Sequence, residues 1–313
     1  MKKIITSRNF KPTDDSEWTL VWSDEFDGDQ VNPQKWDFDL GNGFFAGKDK
    51  TWVSGWGNDE LQYYTRDPSN IFVRDSVLHI RALQKALHGC AYTSARIKTR
   101  RRDGAPLFVK QYGRFEFRAK VPCGKGLWPA LWLLPHEDHY GSWAASGEID
   151  VMEILGEHPE NVLGSIHFGS TFPERKLVTH THTVPDGGNV GDWHIYAVEW
   201  DPGEIRWLFD GVTWARQNFW WSCSSTHDGH GTAPLGPSEL NAWPAPFDRP
   251  FYIVVNVAVG GNFPGAPNGQ TRFPADLLVD YVRVYDRAKG YGAPQPRGEG
   301  PLPWTTPRYE PRS

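Results

Sequence analysis

The sequence predicts an all-β protein, a two-sheet sandwich or jelly roll, and three observations carry that prediction. Short runs rich in β-branched and aromatic residues recur along the chain, several alternating as clearly as Arg114-Phe115-Glu116-Phe117-Arg118. Turn residues separate nearly every run. No stretch sustains a helical period, so helices are available to neither cover nor cross a sheet.

Residues 1–17 are polar and irregular. Strands are then expected at Trp18 to Ser23, Val77 to Leu83, Ala91 to Thr99, Tyr112 to Val121, Ala130 to Leu134, Glu148 to Ile154 and Val162 to Phe168. They continue at His194 to Trp200, Glu204 to Phe209, Val212 to Gln217, Phe251 to Val259 and Leu278 to Tyr285. Asp210-Gly211 is a two-residue hairpin turn between two of them. Three connections, Asp37 to Gly57, Pro135 to Gly147 and Ser222 to Pro250, are too long for plain hairpins. Their Trp, Gly and Pro content marks them as walls of a binding cleft. After Tyr285 the composition turns to Pro, Gly and Arg. The expected organisation is one β-sandwich domain over 18–286 with a loosely ordered extension over 287–313.

Composition narrows the function. The chain of 313 residues carries a formal net charge of -5, which argues against a nucleic-acid partner. Its longest basic run, Lys98 to Arg102, abuts Asp103-Gly104 and reads as a charged turn. Sixteen Trp exceed what a core needs and suggest platforms for sugar rings, whose C–H faces stack on indole. Cys90, Cys123 and Cys223 form an odd set with no zinc spacing, so they are expected as idle thiols. No run is long and apolar enough for a membrane span, and the N-terminal residues lack a signal-peptide core.

The chemistry concentrates in Gly147-Glu148-Ile149-Asp150-Val151-Met152-Glu153-Ile154. Side chains alternate in a strand, so Glu148 and Asp150 share one face and Ile149 and Val151 the other. Strict alternation would send Glu153 into the core, at a cost of several kcal/mol. A β-bulge near Val151-Met152 returns it to the acidic face. Such a row of carboxylates can be a solvated face. It also supplies the nucleophile, proton donor and modulator of glycoside hydrolysis. The Trp-rich run Gly126 to Pro135 and the segment Gly164 to Phe168, with His167, favour the second reading.

The run Ala145-Ser146-Gly147-Glu148-Ile149-Asp150-Val151-Met152-Glu153 resembles the signature of glycoside hydrolase family 16, in its laminarinase branch with the inserted Met. Further similar blocks are Trp56 to Thr65, Tyr112 to Lys120, Trp193 to Trp200, Asn256 to Asn262 and Val279 to Tyr285. The resemblance implies a curved, concanavalin A-like jelly roll with a substrate cleft on its concave face. It also implies a monomeric, retaining endo-β-1,3-glucanase acting outside the cell, with mixed-linkage β-1,3-1,4-glucan as a plausible second substrate. An agar galactan hydrolase or a non-catalytic glucan-binding protein is the alternative. By the same resemblance Glu148 is the nucleophile, Glu153 the acid/base and Asp150 their modulator, and catalysis needs no cofactor. Trp128 and Trp132, four residues apart, are ring platforms, and Asn58, Glu60, Arg96 and His167 are sugar contacts. A structural calcium is implied at Glu25, a carbonyl near Ser76, and Asp280, remote from the cleft. His180-Thr181-His182 and His227-Asp228-Gly229-His230 raise a metal reading, but without a carboxylate at a set spacing they read as exposed loops.

Overall fold

The computed structural model describes residues 17–46, 50–224, 234 and 236–304. Strands run in the order β1 (Trp18–Asp24), β2 (Asp37–Asp39), β3 (Gly43–Ala46), β4 (Thr51–Ser54), β5 (Gln62–Tyr64), β6 (Ile71–Arg74) and β7 (Val77–Ala82). Then come β8 (Tyr92–Ser94), β9 (Arg96–Lys98), β10 (Gly113–Lys120), β11 (Leu127–Pro135), β12 (Glu148–Glu153) and β13 (Asn161–Gly169). The last six are β14 (Arg175–Thr183), β15 (His194–Asp201), β16 (Glu204–Phe209), β17 (Val212–Gln217), β18 (Phe251–Val259) and β19 (Ala275–Arg287). Among the described residues the only helical pieces are single 3₁₀ turns.

Two large sheets result. One has seven strands in the order β14-β13-β12-β11-β18-β9-β2, and the other eight, β17-β16-β15-β10-β19-β7-β6 with β1 paired to β19. Alternating side chains fill the space between them. Leu131, Leu133, Ile149, Ile166, Val255 and Val257 come from the first sheet, and Phe115, Phe117, Val198, Trp200, Val282 and Val284 from the second, all fully buried. The opposite face of the first sheet carries Glu148, Asp150, Glu153, Trp128, Trp132 and His167. The all-β sandwich expected from strand patterning is the observed fold.

Several details differ from expectation. Ala91 to Thr99 is not one strand: the chain breaks at buried Ala95, β8 pairing in parallel with β5 and β9 pairing with β18. The expected loop from Asp37 contains β2, which joins the acid-bearing sheet, and the β3–β4 hairpin. An edge strand, β14, leaves little trace in the sequence because its core-facing side carries His180 and His182 beside a single aliphatic, Val178. Among the described residues the tail after Arg287 forms no strand, and it is tied down by Gln295 N–H to Pro202 O (2.9 Å), Gly298 N–H to Asn218 O (2.8 Å) and Trp243 Nε1–H to Gln295 O (2.7 Å). Part of Ser222 to Pro250, including His227 to His230, lies outside the described residues, as do residues 1–16 and 305–313. The three cysteines are free thiols.

One contact ties the two sheets at the acidic strand. Trp207, buried on β16, donates its indole N–H to the main-chain oxygen of Asp150 at 2.8 Å. Gly164 on β13 makes this approach possible, since a Cβ there would sit 2.4 Å from Trp207 Cδ1. Gly164→Ala should therefore displace the indole and lower stability by about 1–3 kcal/mol, the usual cost of overpacking. Thermal melting checks this, and an unchanged melting temperature would sink it.

Candidate active site

The β12 strand carries the expected bulge. Against β11, Leu131 faces Met152 and Trp132 faces Asp150, so Val151 has no partner. Against β13, Asp150 pairs with Ser165 and Glu153 with Leu163, one extra residue on the β12 side. Val151 and Met152 both turn into the core, and Glu153 returns to the face of Glu148 and Asp150. The bulge position read from sequence is the observed one.

Each outer carboxylate is held by an indole. Trp143, in the connection before β12, donates Nε1–H to Glu148 Oε2 at 2.8 Å, and Trp128 donates to Glu153 Oε1 at 3.0 Å. Ser165 also donates to Glu153 Oε2 at 3.3 Å. His167 Nε2 lies 3.5 Å from Glu148 Oε1 and 3.4 Å from Asp150 Oδ2, so one ring edge addresses both acids. Contacting atoms of Glu148, Asp150 and His167 all lie within 4.8 Å of one another.

Burial and mutual repulsion make this cluster reluctant to ionise fully. Burial first, then the charge of Asp150, push Glu148 up to about 8, while His167 and the Trp143 N–H oppose the rise. Burial and the Glu153 charge hold Asp150 well above the usual carboxylate range. Burial raises Glu153 too, against the pull of His167 and the Trp128 and Ser165 hydrogen bonds. Fewer than three negative charges therefore reside here near neutral pH. Such a site can hold one carboxylate as an anion and another as an acid.

The expected binding residues connect to Trp132, the cross-strand partner of Asp150, or to the acids themselves, with two changes of role. Trp128 and Trp132 share a face of β11, but Trp128 is also a hydrogen-bond donor to Glu153 and packs edge-on against Phe263 at 5.1 Å. One face of Trp132 is covered by the Arg96 guanidinium at 4.7 Å, and Trp56 lies at the same distance from that guanidinium. Arg96 is thus a filler between two indoles and an ion-pair partner of Asp39 at 2.9 Å. That guanidinium leaves only the other face of Trp132 for a further partner. Glu60 accepts from Gln62 at 2.6 Å and from Asn58 at 3.4 Å. Burial raises Glu60 while those bonds and Arg96 pull it back.

Trp143, Ser165, Tyr64 and Asn256 join the site without having been expected there. Asn256 accepts from Trp132 Nε1 at 2.7 Å and donates to the Tyr64 hydroxyl at 3.1 Å. Its signal is present in the sequence, as the one polar residue in the apolar run from Ile253 to Val259. Trp143 carries none, because a loop residue five positions before Glu148 can point anywhere.

The metal expectations fare differently. His180 and His182 lie at a sheet edge with their rings against Trp207 and Trp214, at 5.5 and 5.3 Å, and serve packing. At the calcium position expected on Glu25, Ser76 and Asp280, both Glu25 oxygens accept from Arg283 at 2.9 Å and Asp280 Oδ2 accepts from Arg118 at 2.7 Å. Calcium needs six to eight oxygen ligands. Carboxylates already engaged by guanidinium groups do not fit that demand.

Comparison with known proteins agrees with this geometry. The sequence profile described as glycosyl hydrolases family 16 matches residues 56–219. The chain is 41% identical over 277 residues to glucan endo-1,3-beta-glucosidase A1 of Niallia circulans, covering 85% of this chain and 37% of that protein. It is 41% identical over 279 residues to the beta-glucanase of Rhodothermus marinus, covering 86% of this chain and 85% of that one. The X-ray structure of the laminarinase from Rhodothermus marinus superposes with a TM-score of 0.70 at 39% identity, over 87% of this chain and 98% of that one.

The raised Glu148 carries a stability consequence. An acid whose folded value lies near 8, above its ordinary 4.5, costs nothing below 4.5 and costs fully above 8. Glu148→Gln keeps the shape and removes the ionisable group. It should stabilise the fold progressively as pH rises from 4.5 to 8, by on the order of a few kcal/mol at the upper end. Melting curves of both proteins across this range check it; a pH-independent difference would contradict it.

Proposed function

Since the chain belongs to glycosyl hydrolase family 16, we propose that it is an endo-β-1,3-glucanase of the laminarinase type, cleaving internal β-1,3-glucan bonds with retention of configuration. The observation that carries this reading is the bulged β12 strand. It sets Glu148, Asp150 and Glu153 on one face, with Glu148 and Glu153 each held by an indole N–H. Sequence identity to two glucanases supports the substrate class.

The reactive form in the proposed cycle has Glu148 ionised and Glu153 protonated, a minority form below about pH 8 because burial and Asp150 raise Glu148. In it the Glu148 carboxylate attacks the anomeric carbon as Glu153 gives its proton to the departing glycosidic oxygen. A glycosyl ester on Glu148 and a shortened glucan with a free hydroxyl result. Glu153, now an anion, takes a proton from water, which attacks the same carbon and frees Glu148. Two inversions give net retention. Asp150, held well above the usual carboxylate range by burial and the Glu153 charge, lies between the two Glu residues along β12 and modulates both in this reading. Retention needs the carboxyl groups about 5–5.5 Å apart, against roughly 16 Å between Cα atoms five residues apart in a straight strand. In this reading the bulge and the two long side chains leaning together must close that gap.

The flanking groups have matching roles in this reading. Trp132 offers its uncovered face to a glucosyl ring, and Asn58 and Glu60 present polar atoms to hydroxyls next to it. Mixed-linkage β-1,3-1,4-glucan is proposed as a second substrate. Among the described residues no helix is long and apolar enough to cross a membrane. The extracellular setting is proposed on the size of a polymeric substrate.

Incubation with laminarin, lichenan and agarose, followed by product analysis, should give oligosaccharides from laminarin, fewer from lichenan and none from agarose. Glu148→Ala should lose turnover, with azide restoring cleavage of an activated substrate as the α-azide. Glu153→Ala with azide should give the β-azide. Time-resolved NMR of the wild type should show the β-anomer first; an α-anomer first would mean inversion, and the roles given to both residues would be wrong.

A further inference from the structure

Trp143 steadies Glu148 from an irregular turn, so the turn itself must be held. The two residues after the indole, Ala144 and Ala145, are fully buried and bring no polar side chain to anchor it. Within the turn, Ala145 N–H donates to Ser142 O and Gly147 N–H to Ala144 O, both at 2.9 Å. The Ala145 carbonyl is met from a distant segment: the Ser222 hydroxyl donates to it at 2.8 Å, across 77 residues of chain. A buried carbonyl deprived of its donor is costly to keep in place.

Ser222 is fully buried and is held in turn by Asn241. Asn241 Nδ2–H donates to the Ser222 hydroxyl, and Asn241 N–H to Ser222 O, each at 2.8 Å. The Ser224 hydroxyl donates to Asn241 Oδ1 at 2.9 Å, which fixes the way the amide faces. Beside Ser222, Cys223 N–H donates to Gly169 O at 2.9 Å, two residues beyond His167 on β13. From the β13–β14 connection, Phe172 N–H donates to Trp143 O at 3.1 Å. The start of the long connection from Ser222 thus joins the turn before β12 to the end of β13. Those two segments bring the indole and the imidazole to Glu148.

Building on the glucanase reading, we propose that Ser222 and Asn241 are positioning residues for Glu148, acting through the turn that carries Trp143. Their bonds set the turn so that the indole N–H meets Oε2 squarely and leaves Oε1 toward the reacting carbon. Glu148 also faces Asp150 and Glu153 along β12 and His167 from β13, while Arg175 of β14 covers the Trp143 ring at 5.1 Å. The Trp143 N–H favours the ionised form of Glu148. A loosened turn therefore costs the enzyme both the aim of the carboxylate and its charge.

The test begins with Ser222→Ala on laminarin. Its kcat should fall about tenfold, short of the roughly 10²-fold that a 1 Å misplacement costs, with KM little changed. The acidic limb of kcat/KM should move to higher pH, which a mere loss of stability would not produce. Trp143→Phe should move that limb the same way, and adding Ser222→Ala to Trp143→Phe should lower kcat no further. Asn241→Ala, at a half-buried position, should shift kcat and the limb in the same direction by less, and it carries the test if Ser222→Ala does not fold. NMR reads the device without turnover. The Trp143 indole N–H signal, identified by its loss in Trp143→Phe, should move as pH is raised through the Glu148 ionisation, and Ser222→Ala should shrink that movement. A wild type inactive on laminarin whose Trp143 signal still responds in this way would strike the hydrolase reading and leave the positioning standing. An unchanged limb and an unchanged Trp143 signal in Ser222→Ala would overturn the proposal, whatever the melting temperature does. So would an equal loss of kcat from Ser222→Ala with and without Trp143, since Ser222 would then act by another route.

Discussion

The single unpaired residue at Val151 is the constraint on which the site depends. Side chains in a strand alternate, and a one-residue change of register exchanges the two faces beyond it. Without the bulge, Glu153 would point into a core made of Leu131, Ile149 and Ile166, and Met152 would sit among the acids. The chain accepts the interruption because Val151 and Met152 both find apolar surroundings. The adjoining Asp150 carbonyl is capped from the opposite sheet by Trp207. An indole spanning the core, a glycine that admits it, and a bulge in the next strand form one unit linking packing to chemistry.

That unit concentrates three carboxyl groups where water is scarce. Their repulsion is a standing cost to the fold, offset by the apolar contacts between two extensive sheets. The same repulsion is useful to an acid/base pair, because it keeps one group protonated while another carries charge. Donors around the site divide by kind. Trp143, Trp128 and Ser165 hold the carboxylates by hydrogen bonds, whereas His167 contributes through its nearness to Glu148 and Asp150 together.

Much of this is legible in the amino-acid sequence. Alternation locates the core strands, because burying one face of a sheet leaves a period-two trace. The bulge follows from one rule, that an unpaired Glu is not buried. Whatever depends on contacts distant along the chain is not legible. Ala91 to Thr99 reads as continuous β-pattern, yet β5 claims its first half and β18 its second. Trp132 reads as a bare platform, yet Arg96 already covers one of its faces. The acids expected to hold calcium could not reveal their arginine partners, which approach from neighbouring strands. Trp143 reaches Glu148 only through the path of an irregular connection.

The indole bonds to the two Glu residues also break the symmetry of each carboxylate. Indole N–H donates and never accepts, so it can neither take nor supply a proton at any working pH. With Trp143 fixed on Glu148 Oε2, the other oxygen, Oε1, is left facing His167 and the open face. Glu153 has Oε1 engaged by Trp128 and Oε2 more loosely by Ser165. In the proposed cycle Glu148 would thus act with Oε2 anchored by the indole and Oε1 left to form the bond to the sugar. In a covalent ester on Glu148, the anchored atom becomes the carbonyl oxygen. The indole that steadied an anion would then polarise the ester and stabilise the carboxylate as it departs from the anomeric carbon.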